Sequence, residues 1–279
     1  MSVLETLVKK ISRTPYEWVR DEPTADDLNH ILKEGLQSPS IYDSLNLRAE
    51  VYNDLKAGKA KLVTKRGYNA KVLAIVYPQT KIPWETFGKI FQAFGPFGQP
   101  DQTPWRLVWF AHPRKREFPS EQPQSSNINA SKHIQPQHIN GGYAYACAPE
   151  TIVIYREEEV ERVLVHELLH ASCTDDMRNS EEVREVLTES WAELFLIAIL
   201  ANTYAKAKRL WAIQAHWIVD QETVLRDYNV NSPNDYAWRY TVGRRVILQG
   251  LGLKFPKPNY DPMFILGRSL RFTSPSLLE

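Results

Sequence analysis

His166-Glu167-Leu168-Leu169-His170 carries the most specific chemistry in this 279-residue sequence. Imidazoles four positions apart share one face of a helix, so both can reach a single metal ion. The glutamate beside them stands where it can take a proton from a water that the metal activates. With seven histidines in the chain, a chance H-E-x-x-H match is expected about once in a hundred such sequences. Val163, Leu164, Val165, Leu168 and Leu169 make the surrounding half-helix apolar nearly all round. Two imidazoles and a carboxylate in such a setting need partners, and a metal ion supplies them. A catalytic zinc typically takes three protein ligands and a water, so a third ligand is required. Downstream, Glu189 and Glu193 lie one turn apart on one helical face. Spacing alone leaves the choice between them open, and Asp175, Asp176 and His216 stand next in line.

The set His166, Glu167, His170 and Glu189, with 18 residues between His170 and Glu189, resembles the active site of the gluzincin metallopeptidases. These include thermolysin-like and aminopeptidase-N-like enzymes. The resemblance covers residues 139 to 193, and Thr188 departs from its pattern, in which Asn is usual. It implies zinc held by His166, His170 and Glu189, with Glu167 as general base. It also implies Glu193 as the carboxylate that orients a ligand histidine. The reaction implied is hydrolysis of a peptide bond by a metal-activated water. Tyr236, Tyr240 and His216 are the candidates for stabilising the oxyanion. By the same likeness, the strand Ile139 to Tyr145 is an edge strand that takes extended peptide through its main chain. Gly141, Gly142 and Tyr143 are its central residues, and the glycines allow close backbone approach. The alternative is a metal-binding but non-catalytic scaffold or particle-associated protein with a zincin fold. Glu167, which a purely structural zinc site does not need, argues against it. The span from Asn140 to the H-E-x-x-H helix is also similar to proteins of large DNA viruses, a likeness that implies host cytoplasm or a virion.

The elements that must position these residues are read from periodicity and punctuation. Thr24 caps a helix in which Leu28, Ile31, Leu32 and Leu36 recur at helical spacing, and Ser40 to Leu55 continues in the same style. Apolar runs at Ala70–Tyr77, Trp105–Ala111, Ile139–Tyr145 and Thr151–Tyr155 read as strands, with a helix from Pro83 to Phe94 after the first. A Gly/Pro-rich turn follows that helix, and a long polar loop spans residues 117 to 138. From Glu157 to about Tyr228 the pattern is helical, opened by acids that favour the helix N-terminus. A further helix runs from Asp235 to Leu248. The fold class expected is α+β, with an N-terminal helical region over residues 1–68 and a zincin-like domain over 69–279. That domain divides into a sheet lobe, 69–156, with a twisted mixed sheet of about four strands, and a helical lobe, 157–279.

Composition narrows the partners. Lys plus Arg number 34 against 33 Asp plus Glu, a net charge of +1, so nothing argues for nucleic acid. The basic run His112-Pro113-Arg114-Lys115-Arg116 reads as a solvated loop. The longest apolar stretch, Leu194 to Ala201, is far short of a membrane span, and the N-terminus lacks a signal peptide's apolar segment. Cys147 and Cys173, the two cysteines, make no disulfide framework; a reducing, cytoplasmic compartment is expected, with each cysteine a small buried hydrophobe. The expected partner is a peptide or protein substrate, with neither nucleic acid nor membrane.

Overall fold

The computed structural model describes residues 2–11, 13–37, 39–95, 104–119 and 134–277. Most of the expected polar loop and of the Gly/Pro-rich turn, residues 120–133 and 96–103, therefore lie outside the described residues. The chain forms two compact units. One, the sheet unit, is built from Ser12–Lys115 and Asn140–Asp175; the other, the helical unit, from Met1–Ile11, Arg116–Ile139 and Asp176–Glu279. These boundaries differ from the expected divisions at residues 68 and 156.

The sheet unit is α+β. Its strands are β1 (Val19–Arg20), β2 (Lys61–Arg66), β3 (Ala70–Val76), β4 (Trp105–Phe110), β5 (Gly142–Tyr143) and β6 (Ile152–Ile154). They form one six-stranded mixed sheet in the order β1-β2-β3-β4-β6-β5. β3, β4 and β6 run parallel to one another, whereas β1, β2 and β5 join by antiparallel pairing. The central strands are apolar runs buried on both faces, as parallel strands with covered faces require. The two strands beyond the expected four, β1 and β2, fall in the region read as helical. β2 is a half-exposed strand with only Leu62 and Val63 apolar, between Lys61 and Thr64-Lys65-Arg66, so no apolar run marks it. Its partner β3 decides it, pairing with it from Lys61↔Val76 to Arg66↔Lys71.

Helices α2 (Ala25–Leu36), α3 (Leu47–Lys56), α4 (Trp84–Phe94) and α6 (Val160–Ala171) complete this unit. Thr24 caps α2 through a capping box with Asp27. Of its expected apolar face only Ile31 is buried; Leu28, Leu32 and Leu36 are exposed. The inward face is instead set by Asp27, Ile31, Glu34 and Gly35, because Lys71 pairs with Asp27 at 2.6 Å and Arg48 with Glu34 at 2.5 Å. α3 begins at Leu47 and not at Ser40: Asp43 accepts from the N–H groups of Leu47 and Arg48 at 3.0 Å each, which satisfies the first turn. Ile31, Leu47 and Val51 pack with Leu73, Ile75, Val108, Phe110, Val153 and Tyr155 in one cluster. Phe87 of α4 meets Trp109 of β4 edge to face at 5.9 Å.

The helical unit contains α1 (Val3–Lys10), α5 (Pro136–Ile139), α7 (Glu181–Leu200), α8 (Tyr204–Asp227), α9 (Tyr236–Tyr240), α10 (Val242–Gly250) and α11 (Pro262–Leu266). The expected single helix from Asp235 to Leu248 is broken at Thr241, whose backbone leaves the helical region. A core of Trp217, Val224, Leu225, Tyr228, Val230, Val242, Leu270 and Phe272, among others, holds α8, α10 and the C-terminal segment together. The basic run before this unit is only partly solvated: Arg116 is buried and donates from Nε to the Ile139 carbonyl at 2.7 Å. No described helix is long and apolar enough to cross a membrane.

Candidate metal centre

α6 carries the H-E-x-x-H residues through the sheet unit, and every residue from Val160 to Ala171 but Glu161 is buried. Of the acids expected to open the helix, Glu161 lies in its first turn, whereas Glu157 to Glu159 precede it, Glu159 in the left-handed region at φ 61° directly before Val160. His166 and His170 lie one turn apart with their Nε2 atoms 3.1 Å from each other. His170 Nδ1 is 2.7 Å from Asp175 Oδ2. A carboxylate only accepts, so this bond places the ring proton on Nδ1 and turns the Nε2 lone pair towards His166. A carboxylate that fixes the tautomer and orientation of an imidazole is the usual companion of a metal-ligating histidine. Asp175, one of the alternative ligands read from the sequence, thus orients His170; the sequence shows an acid there but not its direction.

The loop that delivers Asp175 is folded onto the end of α6. The last carbonyls of a helix lack intrahelical donors, and here three of them find one from this loop. Ser172 N–H donates to Leu168 O at 2.9 Å, Thr174 Oγ1 to Leu169 O at 2.7 Å, and Cys173 N–H to His170 O at 3.2 Å. The N–H of Cys147 donates to the same His170 carbonyl at 3.2 Å. Cys147 and Cys173 are joined by a disulfide bond and both are exposed. This corrects the reading of two buried, unpaired thiols: 26 positions of sequence separation give no sign that the fold brings them together.

The expected strand Ile139–Tyr145 is shorter, since α5 ends at Ile139 and β5 comprises only Gly142 and Tyr143. It is nonetheless an edge strand of the sheet. Tyr155 N–H donates to Gly141 O at 2.8 Å, and Tyr143 faces Val153. By the alternation of antiparallel pairing, the N–H and C=O of Gly142 turn to the outer edge. A Cβ on Gly142 would lie 2.7 Å from Val163 Cγ1, 2.9 Å from the Val153 carbonyl and 3.2 Å from Glu167 Oε1. The absent side chain therefore lets the edge strand close over the helix face that carries Glu167. Tyr143 points the other way, into the cluster under α2 and α3, where its hydroxyl bonds Glu34 and Arg48.

In the helical unit, α7 carries Glu185, Glu189 and Glu193 at successive turns. Glu193 is not a surface carboxylate: its Oε2 lies 3.0 Å from Arg244 Nη1, with both side chains fully buried, and Arg244 Nη2 donates to Gln221 Oε1 at 2.9 Å. Gly243 permits this, since a Cβ there would fall 2.6 Å from Trp238 and 2.9 Å from Val186 of α7. Glu189 is buried and Glu185 half-buried. Tyr236 and Tyr240 stand with hydroxyls 3.3 Å apart. Burial above all, then the Glu185 charge, Tyr236 and the Glu189 charge, push the Tyr240 phenol well above its ordinary range. It is therefore a neutral donor at any physiological pH. His216 sits on an exposed part of α8 with Nδ1 2.9 Å from Ala212 O.

No protein-family model, curated protein or solved structure matches this chain. The sheet unit groups Gly141, Gly142, His166, Glu167, His170 and Asp175; the helical unit groups Glu185 and Glu189 with Tyr236 and Tyr240. The donor set fits a metal: two imidazole nitrogens converge, one is fixed by a carboxylate, and a glutamate stands between the two in sequence. Imidazole and carboxylate together suit a borderline ion such as zinc.

Proposed function

We propose that this protein is a zinc-dependent metallopeptidase of the gluzincin type. What carries the reading is the geometry of α6: the Nε2 atoms of His166 and His170 lie 3.1 Å apart, with Asp175 bound to the far nitrogen of His170. His166 and His170 supply two ligands, and a carboxylate supplies the third. Glu189 is the third ligand by the gluzincin resemblance. Glu185, one turn earlier on α7, is the other carboxylate candidate for that role. These residues would hold zinc, which when bound would supply a Lewis acid to polarise a carbonyl and lower the pKa of water. Glu167 takes the water's proton and delivers it to the leaving nitrogen. Tyr240, held neutral, and Tyr236 beside it are the candidate hydrogen-bond donors to the developing oxyanion. The outward N–H and C=O of Gly142 hold an extended peptide along the sheet edge, beside Glu167.

The test combines metal analysis with a digest of a peptide library. Wild type should carry about one zinc per chain and cleave peptides. Glu167→Gln should keep the zinc but lose ~10²–10⁴-fold in rate, because an amide cannot accept the proton. If zinc is present and both proteins are equally inert, a non-catalytic metal protein is the better description. If no metal binds, the centre itself is wrong.

A further inference from the structure

We infer that the Cys147–Cys173 disulfide is a redox-operated clamp that sets the metal affinity of the α6 centre through Asp175. The inference rests on the proposed metal centre and adds its regulation. Four observations carry it. The bond joins the segment that follows the edge strand β5 to the loop that follows α6. Both cysteines donate their backbone N–H to the carbonyl of His170, so both ends of the bond are tied to the main chain of that histidine. Cys173 lies two residues before Asp175, whose carboxylate fixes the His170 ring. Both cysteines are exposed and hold left-handed backbones at φ 60°, a conformation that non-glycine residues adopt only where the surroundings impose it.

An exposed disulfide is open to attack by a dithiol. The thiolate of such a reductant attacks Sγ of one cysteine, forms a mixed disulfide and expels the other cysteine as a thiolate, which takes a proton. The second thiol of the reductant then displaces the first cysteine and closes its own disulfide. Two electrons and two protons pass to Cys147 and Cys173 in all. Once the bond opens, nothing covalent holds residues 173–175 against the Cys147 segment. The two left-handed residues relax, and Asp175 loses its fixed direction towards His170. Loss of such an orienting carboxylate typically weakens metal binding ~10–100-fold.

The experiment measures zinc affinity of the full chain by competition with a chromophoric chelator. It is run in the oxidised form and after a phosphine reductant, which opens the bond without adding zinc-binding thiols. Titration of free thiols follows the opening. Reduction should expose two thiols and lower zinc affinity ~10–100-fold. The Cys147→Ser, Cys173→Ser double variant should sit at the weak value with or without reductant, which shows that the new thiolates are not the cause. Asp175→Asn should also sit at the weak value in both states, because reduction and this substitution remove the same contact. Equal affinity before and after reduction overturns the clamp, as does a reduction effect that persists in full in Asp175→Asn. Free thiols that no oxidant closes overturn it as well. In each of those cases zinc still binds and the metal centre stands. By contrast, an oxidised wild type that binds zinc no better than His166→Ala removes the centre and the clamp together.

Discussion

At the end of α6 an imidazole is held by a carboxylate from a loop, whereas within the helical unit a carboxylate of α7 is held by a guanidinium from α10. The His170–Asp175 contact keeps slight solvent access, 11 % and 8 % for the two side chains, while Glu193 and Arg244 have none. The first contact uses one nitrogen of a two-nitrogen ring and leaves the other directed at His166, so it prepares a group to bind something else. The second matches two full charges, and Gln221 takes a further guanidinium nitrogen. A pair of that kind, enclosed with both side chains in the core, serves the fold. The likeness to gluzincins implies an orienting role for Glu193; Asp175 is a carboxylate bonded to a histidine of the motif that the likeness does not name.

The strongest way to break the comparison is to remove ligands from each region. His170→Ala should largely empty the centre of zinc, since two ligands and a water bind far more weakly than three and a water. On α7, Glu189→Ala should do the same while Glu185→Ala and Glu193→Ala retain most of the metal, all four read by chelator competition. If Glu185→Ala empties the site and Glu189→Ala does not, the third ligand lies one turn earlier than the resemblance implies. If Glu193→Ala has the largest effect, the buried pair is part of the metal centre and the contrast drawn above fails.

Next in size is the buried pair itself. Arg244→Met should cost about 3–5 kcal/mol of stability, because it removes the guanidinium that pairs with Glu193 in the core. The double variant Arg244→Met, Glu193→Leu should recover much of that loss, as replacing both partners by apolar groups is often neutral. Urea denaturation of the three proteins reads this. A loss below about 1 kcal/mol for Arg244→Met would show that the pair does little for the fold.

These contrasts also separate what the sequence discloses from what it does not. The H-E-x-x-H spacing places His166 and His170 on one helical face whatever else the chain does, because helix geometry is local. The runs at Ala70 and Trp105 are strands because no other element buries a short β-rich apolar stretch on both sides. β2 carries no such mark, and its existence depends on β3. The exposed Leu28, Leu32 and Leu36 mislead for a related reason: helical spacing of leucines points inward unless buried ion pairs set the face, as Lys71 and Arg48 do here. The Asp175 contact and the Cys147–Cys173 bond depend on a chain reversal after α6. Their residues are visible in the sequence, but their meeting is not.

The smallest expected effect sharpens the comparison at the edge strand, where β5 closely approaches Glu167. Gly142 has no left-handed torsion to protect, since its φ is not among the positive ones. Alanine there is disfavoured by contact alone. Its Cβ would press on Val163 Cγ1 at 2.7 Å and on the Val153 carbonyl at 2.9 Å, and neither is the free end of a flexible chain. Overpacking of this sort costs about 1–3 kcal/mol. The strand can relieve it only by moving away from α6, and Glu167 Oε1, 3.2 Å from the same point, would then lose its neighbour. Gly142→Ala should therefore lower the thermal midpoint and cut peptide hydrolysis while zinc content stays at the wild-type value, because no ligand is touched. A variant with wild-type stability and unchanged cleavage would show that β5 approaches α6 less closely than the glycine implies. Loss of zinc along with activity would instead tie the edge strand to the metal itself.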